Sequence, residues 1–588
     1  MVKKSFFYGF LIVLGILLYL NPNFKTISAG VAILLFGMIM LEEGFRVFTK
    51  GPLENILKNA TNKLYKSITA GAVTTAFIQS SSLVSVITIS FISAGLISLQ
   101  GGLGLIFGAN IGTTATAWLV AGFGLKIKIS VLAMPMLVFG IIFSFQKRMS
   151  LKGMGNVLAG LGFFFLGIHY MKEGFDVFKE YIDLSQYAVS GFLGVVIYTG
   201  VGIIITTILQ SSSATLALIL TALAAGQIEY ENALALAIGA NIGTTITAVL
   251  GALGSNSAGK RLATAHFIFN IITGMVAMFL IFPLARLVNI LSEVFQIATD
   301  NYTLKLALFH TIFNVLGVIL MLPFIKKLER FLLRFFKEKI YKDIDEPKYL
   351  NQAVLEFPAS AISALFKESK YLFKKSVFEI VAHSLNIHRE DIKSGEKLKH
   401  VIEKSKTDFE TDIEGLYYKK VKTIYGEIIR YASIAQSTLR LNSKQIKAIT
   451  DIKIANRKMV EIIKDSRELN KNISHVLHLE NEHLQDEYDS YRKKITKVLR
   501  IIYLFRTEND TEKYALQLNQ LKKEAKANAR HSNKSIDKLI RKNLITAEMA
   551  SSLFNDYTNV NDMIKKLIDV AELLYGRMDS LLDENGNQ

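Results

Sequence analysis

The chain spells one polar cluster twice inside apolar sequence. Gln79-Ser80-Ser81-Ser82 is followed by Gly108-Ala109-Asn110-Ile111-Gly112-Thr113-Thr114, and Gln210-Ser211-Ser212-Ser213 by Gly239-Ala240-Asn241-Ile242-Gly243-Thr244-Thr245. The Gln to Asn separation is 31 residues in both copies. A pair of uncharged polar clusters recurring at one spacing marks a duplicated site. The fold must therefore contain the same local structure twice.

The surroundings decide what that structure is. The stretch Ser67–Ser98 holds 32 weakly polar residues without a charge. As one helix it would measure about 48 Å at 1.5 Å per residue. That is too long for one crossing of a hydrocarbon core about 30 Å thick and too short for two. A re-entrant hairpin fits, with two half-helices meeting at the serines. Broken backbone is tolerated at that depth where protein or a watery cavity supplies partners. Residues 190–225 read the same way.

Full spans are expected near 28–48, 101–123, 129–146, 156–178, 232–253, 262–284 and 303–324. The apolar run from Phe6 to Leu20 lacks a cleavage signal and reads as a retained first span. Basic residues then set the topology. Lys3, Lys4, Lys50, Lys58, Lys63, Lys66, Lys147, Arg148, Lys152, Lys260, Arg261, Lys326, Lys327, Arg330 and Arg334 fall inside, and Lys126 and Lys128 break the rule.

The duplication extends upstream. Gly37 with Glu43-Gly44-Phe45-Arg46-Val47-Phe48 is echoed by Gly167 with Glu173-Gly174-Phe175-Asp176-Val177-Phe178. Three full crossings separate the two copies, and an odd number inverts the second. Inverted repeats with broken helices at the midplane are a common transporter design. His266-Phe267-Ile268-Phe269-Asn270 and His310-Thr311-Ile312-Phe313-Asn314 form a smaller late echo.

Charge then divides the chain. Residues 1–330 hold 22 Lys+Arg and 12 Asp+Glu, so about one residue in ten is charged, against about one in three beyond. The net charge of +18 is shared between both parts and does not point to nucleic acid. No cysteine is present, which excludes disulfides and thiolate metal sites. The charged part is helical in period, notably over Leu416–Ala435 and Ser443–Leu469, and reads as an antiparallel bundle.

On these residues the chain resembles the type II sodium–phosphate cotransporter family, over roughly 28–325. The tail, over about 350–575, resembles the PhoU-like domain of bacterial members. The resemblance implies inward carriage of inorganic phosphate with sodium through the two serine-rich segments. The expected fold is all-α: a polytopic membrane protein with two inverted repeats, each containing a re-entrant hairpin, then a cytoplasmic PhoU-like bundle. The boundaries are 1–335 for the membrane domain (repeats about 28–125 and 156–255), 336–349 for a linker and 350–580 for the tail. The expected location is the plasma membrane, and the sequence leaves a homo-oligomer open.

Phosphate must exchange hydration for protein hydrogen bonds. Hydroxyls, amides and free N–H groups at half-helix N-termini supply them, with favourable partial charge. Sodium takes oxygen ligands. Gln79, Ser80, Ser81, Ser82, Asn110, Thr113 and Thr114, with Gln210, Ser211, Ser212, Ser213, Asn241, Thr244 and Thr245, offer both kinds of group. The bland alternative is that small residues merely let helices pack closely. Since no lysine or arginine lies in either hairpin, sodium is expected to supply the countercharge. No cofactor is expected beyond sodium as coupling ion.

Asn270 and Asn314 are candidates to line the path, while His266 and His310 read as packing residues rather than proton relays. Trp118 reads as an interfacial anchor. In the tail, Glu461 and Asp465, followed by Glu468, match an acidic helix motif through which PhoU-like domains bind metal. The partner copy has Lys565 before Asp569 and Glu572, so the acidic pair reads first as a solvated face. No nucleophile motif or phosphate-cradling loop is present, so an enzyme is not expected. The rival class is a membrane-anchored phosphate sensor without net transport.

Overall fold

The computed structural model describes residues 12–49, 57, 60–125, 129–179, 186, 188–336, 346–406, 412–508, 510–528 and 534–576. Lys3, Lys4, residues 6–11 of the first expected span, Lys50, Lys58, Lys126 and Lys128 and most of the linker lie outside the described residues. Helices account for nearly all of the rest, and no strand occurs among the described residues. The chain divides into two compact units, Met1–Glu338 and Lys339–Gln588.

The first unit contains α1 (Pro22–Thr49), α2 (Leu64–Ile78), α3 (Ser81–Ser93), α4 (Leu99–Leu119), α5 (Ile129–Ser144) and α6 (Met149–Lys179). It continues with α7 (Gly191–Leu209), α8 (Ser212–Ala224), α9 (Tyr230–Gly243), α10 (Thr245–Ala252), α11 (Ser257–Phe279), α12 (Ile281–Val294), α13 (Tyr302–Met321) and α14 (Ile325–Phe335). Among the described residues, seven segments are long and apolar enough to cross a membrane: Phe24–Phe45, Leu99–Gly124, Met149–Lys179, Gly191–Leu209, Tyr230–Ala252, Ser257–Phe279 and Tyr302–Phe335.

Three segments differ from the sequence reading. Gly191–Leu209, expected as half a hairpin, is 19 residues long and qualifies as a span by itself. Its uninterrupted apolar run gives the helix no reason to stop earlier. Conversely, the span expected at 129–146 is a 16-residue helix containing Pro135. It adjoins residues 126–128, which lie outside the described residues. Segment 262–284 is also interrupted, because α11 closes at Leu280 and α12 begins with Pro283 in its first turn.

Glycines determine how these helices meet. Along α1, Gly30, Gly37 and Gly44 recur every two turns. They face Gly167, Gly160 and Gly153 of α6 respectively, so the two helices run antiparallel with their backbones in contact. In both copies the Gly-Ala-Asn-Ile-Gly glycines do similar work. Gly108 and Gly112 of α4 face Ile68 and Ala72 of α2, while Gly239 and Gly243 of α9 face Thr199 and Ile203 of α7. Without a hydrophobic driving force between lipid-facing helices, such close backbone approach is what holds them. For the glycines of the motif, the packing reading is therefore the right one.

The second unit is built from α15 (Pro358–Leu372), α16 (Phe378–Ser384), α17 (Thr423–Thr438), α18 (Ser443–Leu477), α19 (Glu482–Thr507), α20 (Thr511–Asn528) and α21 (Ala547–Ala571), with shorter helical turns between. Apolar residues at three- and four-residue steps, such as Ile449, Ile452, Met459, Ile463 and Leu469 of α18, form its core. Arg492 is fully buried there and satisfied on every side. It donates to the carbonyls of Leu385 (2.8 Å) and Ser405 (2.6 Å) and pairs with Asp489 (2.7 Å). Glu368, also fully buried, accepts the backbone N–H of Tyr349 at 2.6 Å and so fixes where the chain enters the bundle.

Candidate functional site

Both serine-rich segments break a helix, and they break it identically. Helix α2 ends at Gln79, which adopts the left-handed conformation (φ 58°, ψ 25°), and α7 ends at Gln210 in the same way (φ 53°, ψ 23°). A non-glycine residue held there costs about 1–2 kcal/mol, and such strain concentrates at functional positions. The next residue caps the following helix. The Ser80 hydroxyl accepts the N–H of Leu83 at 3.2 Å, and the Ser211 hydroxyl that of Ala214 at 3.2 Å. Glutamine is a good helix former, so the local signal for the break is the serine that caps the helix after it.

The arms after the breaks, α3 and α8, each have 13 residues. Their first N–H groups have no intrahelical partner and carry the positive end of the helix dipole. Ser81 and Ser212 are buried at these N-termini, and Ser81, Ser82 and Ser212 make no side-chain hydrogen bond among the described residues. Each therefore retains a hydroxyl for a ligand.

Thr116 of α4 joins the two copies. Its hydroxyl lies 2.8 Å from Gln79 Oε1 and 3.3 Å from Ser213 Oγ. One hydroxyl carries one proton, so the chain runs from Ser213 to Thr116 to Gln79. The first and second clusters thus meet at one place in the protein. Sequence reasoning missed Thr116, although the signal was present. The repeat extends one step further, since Thr116 follows Thr113-Thr114 as Thr247 follows Thr244-Thr245.

The two copies also differ. Gln79 is half-buried and tied to Thr116, whereas Gln210 is exposed and makes no hydrogen bond among the described residues. Thr113 and Thr114 donate to the Ala109 and Ile111 carbonyls (2.9 and 2.7 Å), and Thr244 and Thr245 to those of Ala240 and Ile242 (3.0 and 2.8 Å). All four are buried, and each keeps a lone pair for a cation.

Asn241 and Asn314 meet, with Asn241 Nδ2 donating to Asn314 Oδ1 at 2.7 Å and His310 Nε2 3.5 Å from Asn241 Oδ1. Asn110 and Asn270 instead donate to their own helices, at Ile106 (3.2 Å) and His266 (3.1 Å). Asn270 Oδ1 is buried without a hydrogen-bond partner among the described residues. Trp118 is no isolated anchor: half-buried, it donates to Thr311 of α13 at 2.9 Å.

In the tail no cluster of three or more metal-ligating residues occurs among the described residues. Lysines occupy the places where a cation would sit. Lys566 pairs with Asp465 at 2.7 Å and approaches Glu461 at 3.9 Å, while Lys522 pairs with Asp569 at 2.7 Å and Glu572 at 2.6 Å. Lys458 also pairs with Asp569. Burial pushes the Asp465 carboxyl above its ordinary range despite Lys566. Burial also acts on Asp569, but there two lysines outweigh it and hold the carboxyl below its usual range.

Known proteins resemble this chain in sequence. The sequence profile described as Na+/Pi-cotransporter matches residues 33–173 and residues 189–331. YqeW of Bacillus subtilis, a protein of unassigned function, is 31% identical over 308 residues, covering 51% of this chain and 93% of its own length. YjbB of Salmonella typhimurium, provisionally named an inorganic phosphate export protein, is 27% identical over 343 residues, 58% of this chain and 61% of its own length. Sodium-dependent phosphate transport protein 2C of mouse is 37% identical over 117 residues, 19% of this chain and 18% of its own length. The chain therefore spans about three-fifths of YjbB and a fifth of the mouse protein. No solved structure matches significantly. By these matches and by its doubled helix breaks, the chain belongs to the Na+/Pi-cotransporter family.

Proposed function

We propose that the chain is a secondary active transporter that imports inorganic phosphate coupled to sodium, and not an enzyme. One observation carries the reading: two helix breaks, each presenting serine hydroxyls and a helix N-terminus, are joined through Thr116. An anion favours such N-termini. Neither hairpin contains a lysine or arginine, so sodium supplies countercharge, and filling the cation site makes the anion site attractive. The test is uptake of labelled phosphate into proteoliposomes under an inward sodium gradient. Accumulation that collapses when potassium replaces sodium is expected. Binding without accumulation would establish a sensor instead. The name of YjbB favours export as the second reading, and release of preloaded phosphate from the vesicles without accumulation under the inward sodium gradient would establish that direction.

The antiparallel pairing of α1 and α6 supports inverted repeats. Gly30 meets Gly167 and Gly37 meets Gly160, which is the reciprocal pattern that a two-fold axis across antiparallel helices produces. The loop at Lys63 then faces the cytoplasm and the loop at Glu229 faces outside. Lys63→Cys and Glu229→Cys are clean probes because the chain has no cysteine. An impermeant thiol reagent is expected to label them from opposite sides, and labelling of both from one side would refute the inversion. On this topology the second unit is a cytoplasmic, PhoU-like regulatory bundle at the plasma membrane.

A further inference from the structure

The two hairpins share a backbone but not a charge. Glu42, half-buried on α1, lies 3.2 Å from the Ser80 hydroxyl through its Oε2. Under the upstream echo that aligns Glu43 with Glu173, position 42 corresponds to Lys172. The opposite sign stands at the equivalent place in the second copy.

Counting protons on the two cap serines sharpens the difference. A hydroxyl has one proton and two lone pairs. Ser80 gives its proton to Glu42 and one lone pair to the Leu83 N–H, so a lone pair is all it has left. It can face a cation but cannot donate to an anion. Ser211 uses a lone pair for the Ala214 N–H, and its proton has no acceptor among the described residues. It can donate to an anion.

We propose that the two breaks divide the ions between them. The carboxylate of Glu42 with the Ser80 hydroxyl binds a monovalent cation, sodium, beside the first break. The second break, with Ser211 at its cap, supplies the hydroxyl donor for phosphate. Hard cations prefer oxygen ligands, and a carboxylate is the strongest that a side chain offers. The proposal rests on sodium coupling and adds which hairpin holds which ion.

The experiment uses the purified full-length chain in detergent. Binding of radiolabelled sodium is measured without phosphate, and binding of labelled phosphate at saturating sodium. Glu42→Gln is expected to weaken sodium binding by about tenfold or more, the scale of a lost bond to a charged group, and to affect phosphate much less. Ser211→Ala is expected to do the reverse. Glu42→Asp, which keeps the carboxylate, should retain sodium binding, and Ser80→Ala should weaken it even if Glu42→Gln does not stay monodisperse. Sodium binding of wild-type strength in both Glu42→Gln and Ser80→Ala overturns the assignment while leaving sodium coupling intact. A wild-type chain that binds phosphate but no sodium overturns the coupling itself.

Discussion

Thr116→Val is expected to cut phosphate uptake by about tenfold or more with normal amounts of protein in the membrane. Valine matches threonine in shape, so the change deletes the hydroxyl and leaves no cavity. It strands two groups at once: Gln79 Oε1 loses its donor and the Ser213 hydroxyl its acceptor. Leaving a buried polar group unsatisfied costs about 1–3 kcal/mol, a factor of about 5–150. The penalty falls on the arrangement in which the two hairpins are bridged, so it acts on turnover rather than on insertion. Thr247→Val is the matched control. Thr247 donates only to the Thr244 carbonyl of its own helix (2.8 Å), a bond that contributes little. Equal uptake by wild type and Thr116→Val would show that the bridge is incidental.

Why Thr116 escaped the sequence reading while Gln79 did not has a physical explanation. The breaks at Gln79 and Gln210 follow from local rules, since a charge-free stretch of awkward length needs an interruption and serine is a strong cap. Spacing repeated at 31 residues then fixes that there are two. The bridge is not local. Thr116 touches Ser213 across 97 residues of chain, and nothing in either segment states that distance.

The same limit explains the glycines. Gly37 and Gly167 were legible as echoes of each other, yet their roles as halves of one antiparallel seam depend on which helices meet. It also explains Glu42, whose link to Ser80 spans 38 residues. In the tail, the acidic pair Glu461 and Asp465 was visible, and so was the lysine at 565. The cation that approaches them is Lys566, from a helix 101 residues beyond Asp465. Element type and the location of the breaks came from periodicity and capping. Partners came only from the fold.

The seam between α1 and α6 yields the other large effect. A Cβ on Gly37 would stand 2.5 Å from the Phe164 nitrogen and 2.7 Å from the Gly160 oxygen. Both obstacles are backbone, so no rotamer change relieves them. Gly37→Leu must push the helices apart, and the neighbouring contacts at Gly30 and Gly44 share the same axis and would open with it. Overpacking a core typically costs about 1–3 kcal/mol where side chains can yield; here they cannot, and loss of the folded unit is the expected result. In detergent, the variant should be polydisperse, or should melt about 5 °C or more below wild type. Gly200→Leu is the control, because a Cβ there meets nothing within 4 Å. It should be neutral or stabilising, since glycine in a helix interior is about 1 kcal/mol worse than alanine. Wild-type melting of Gly37→Leu would mean that α1 and α6 are not seated backbone to backbone. The reciprocal pairing on which the two-fold relation of the repeats rests would then be lost as well.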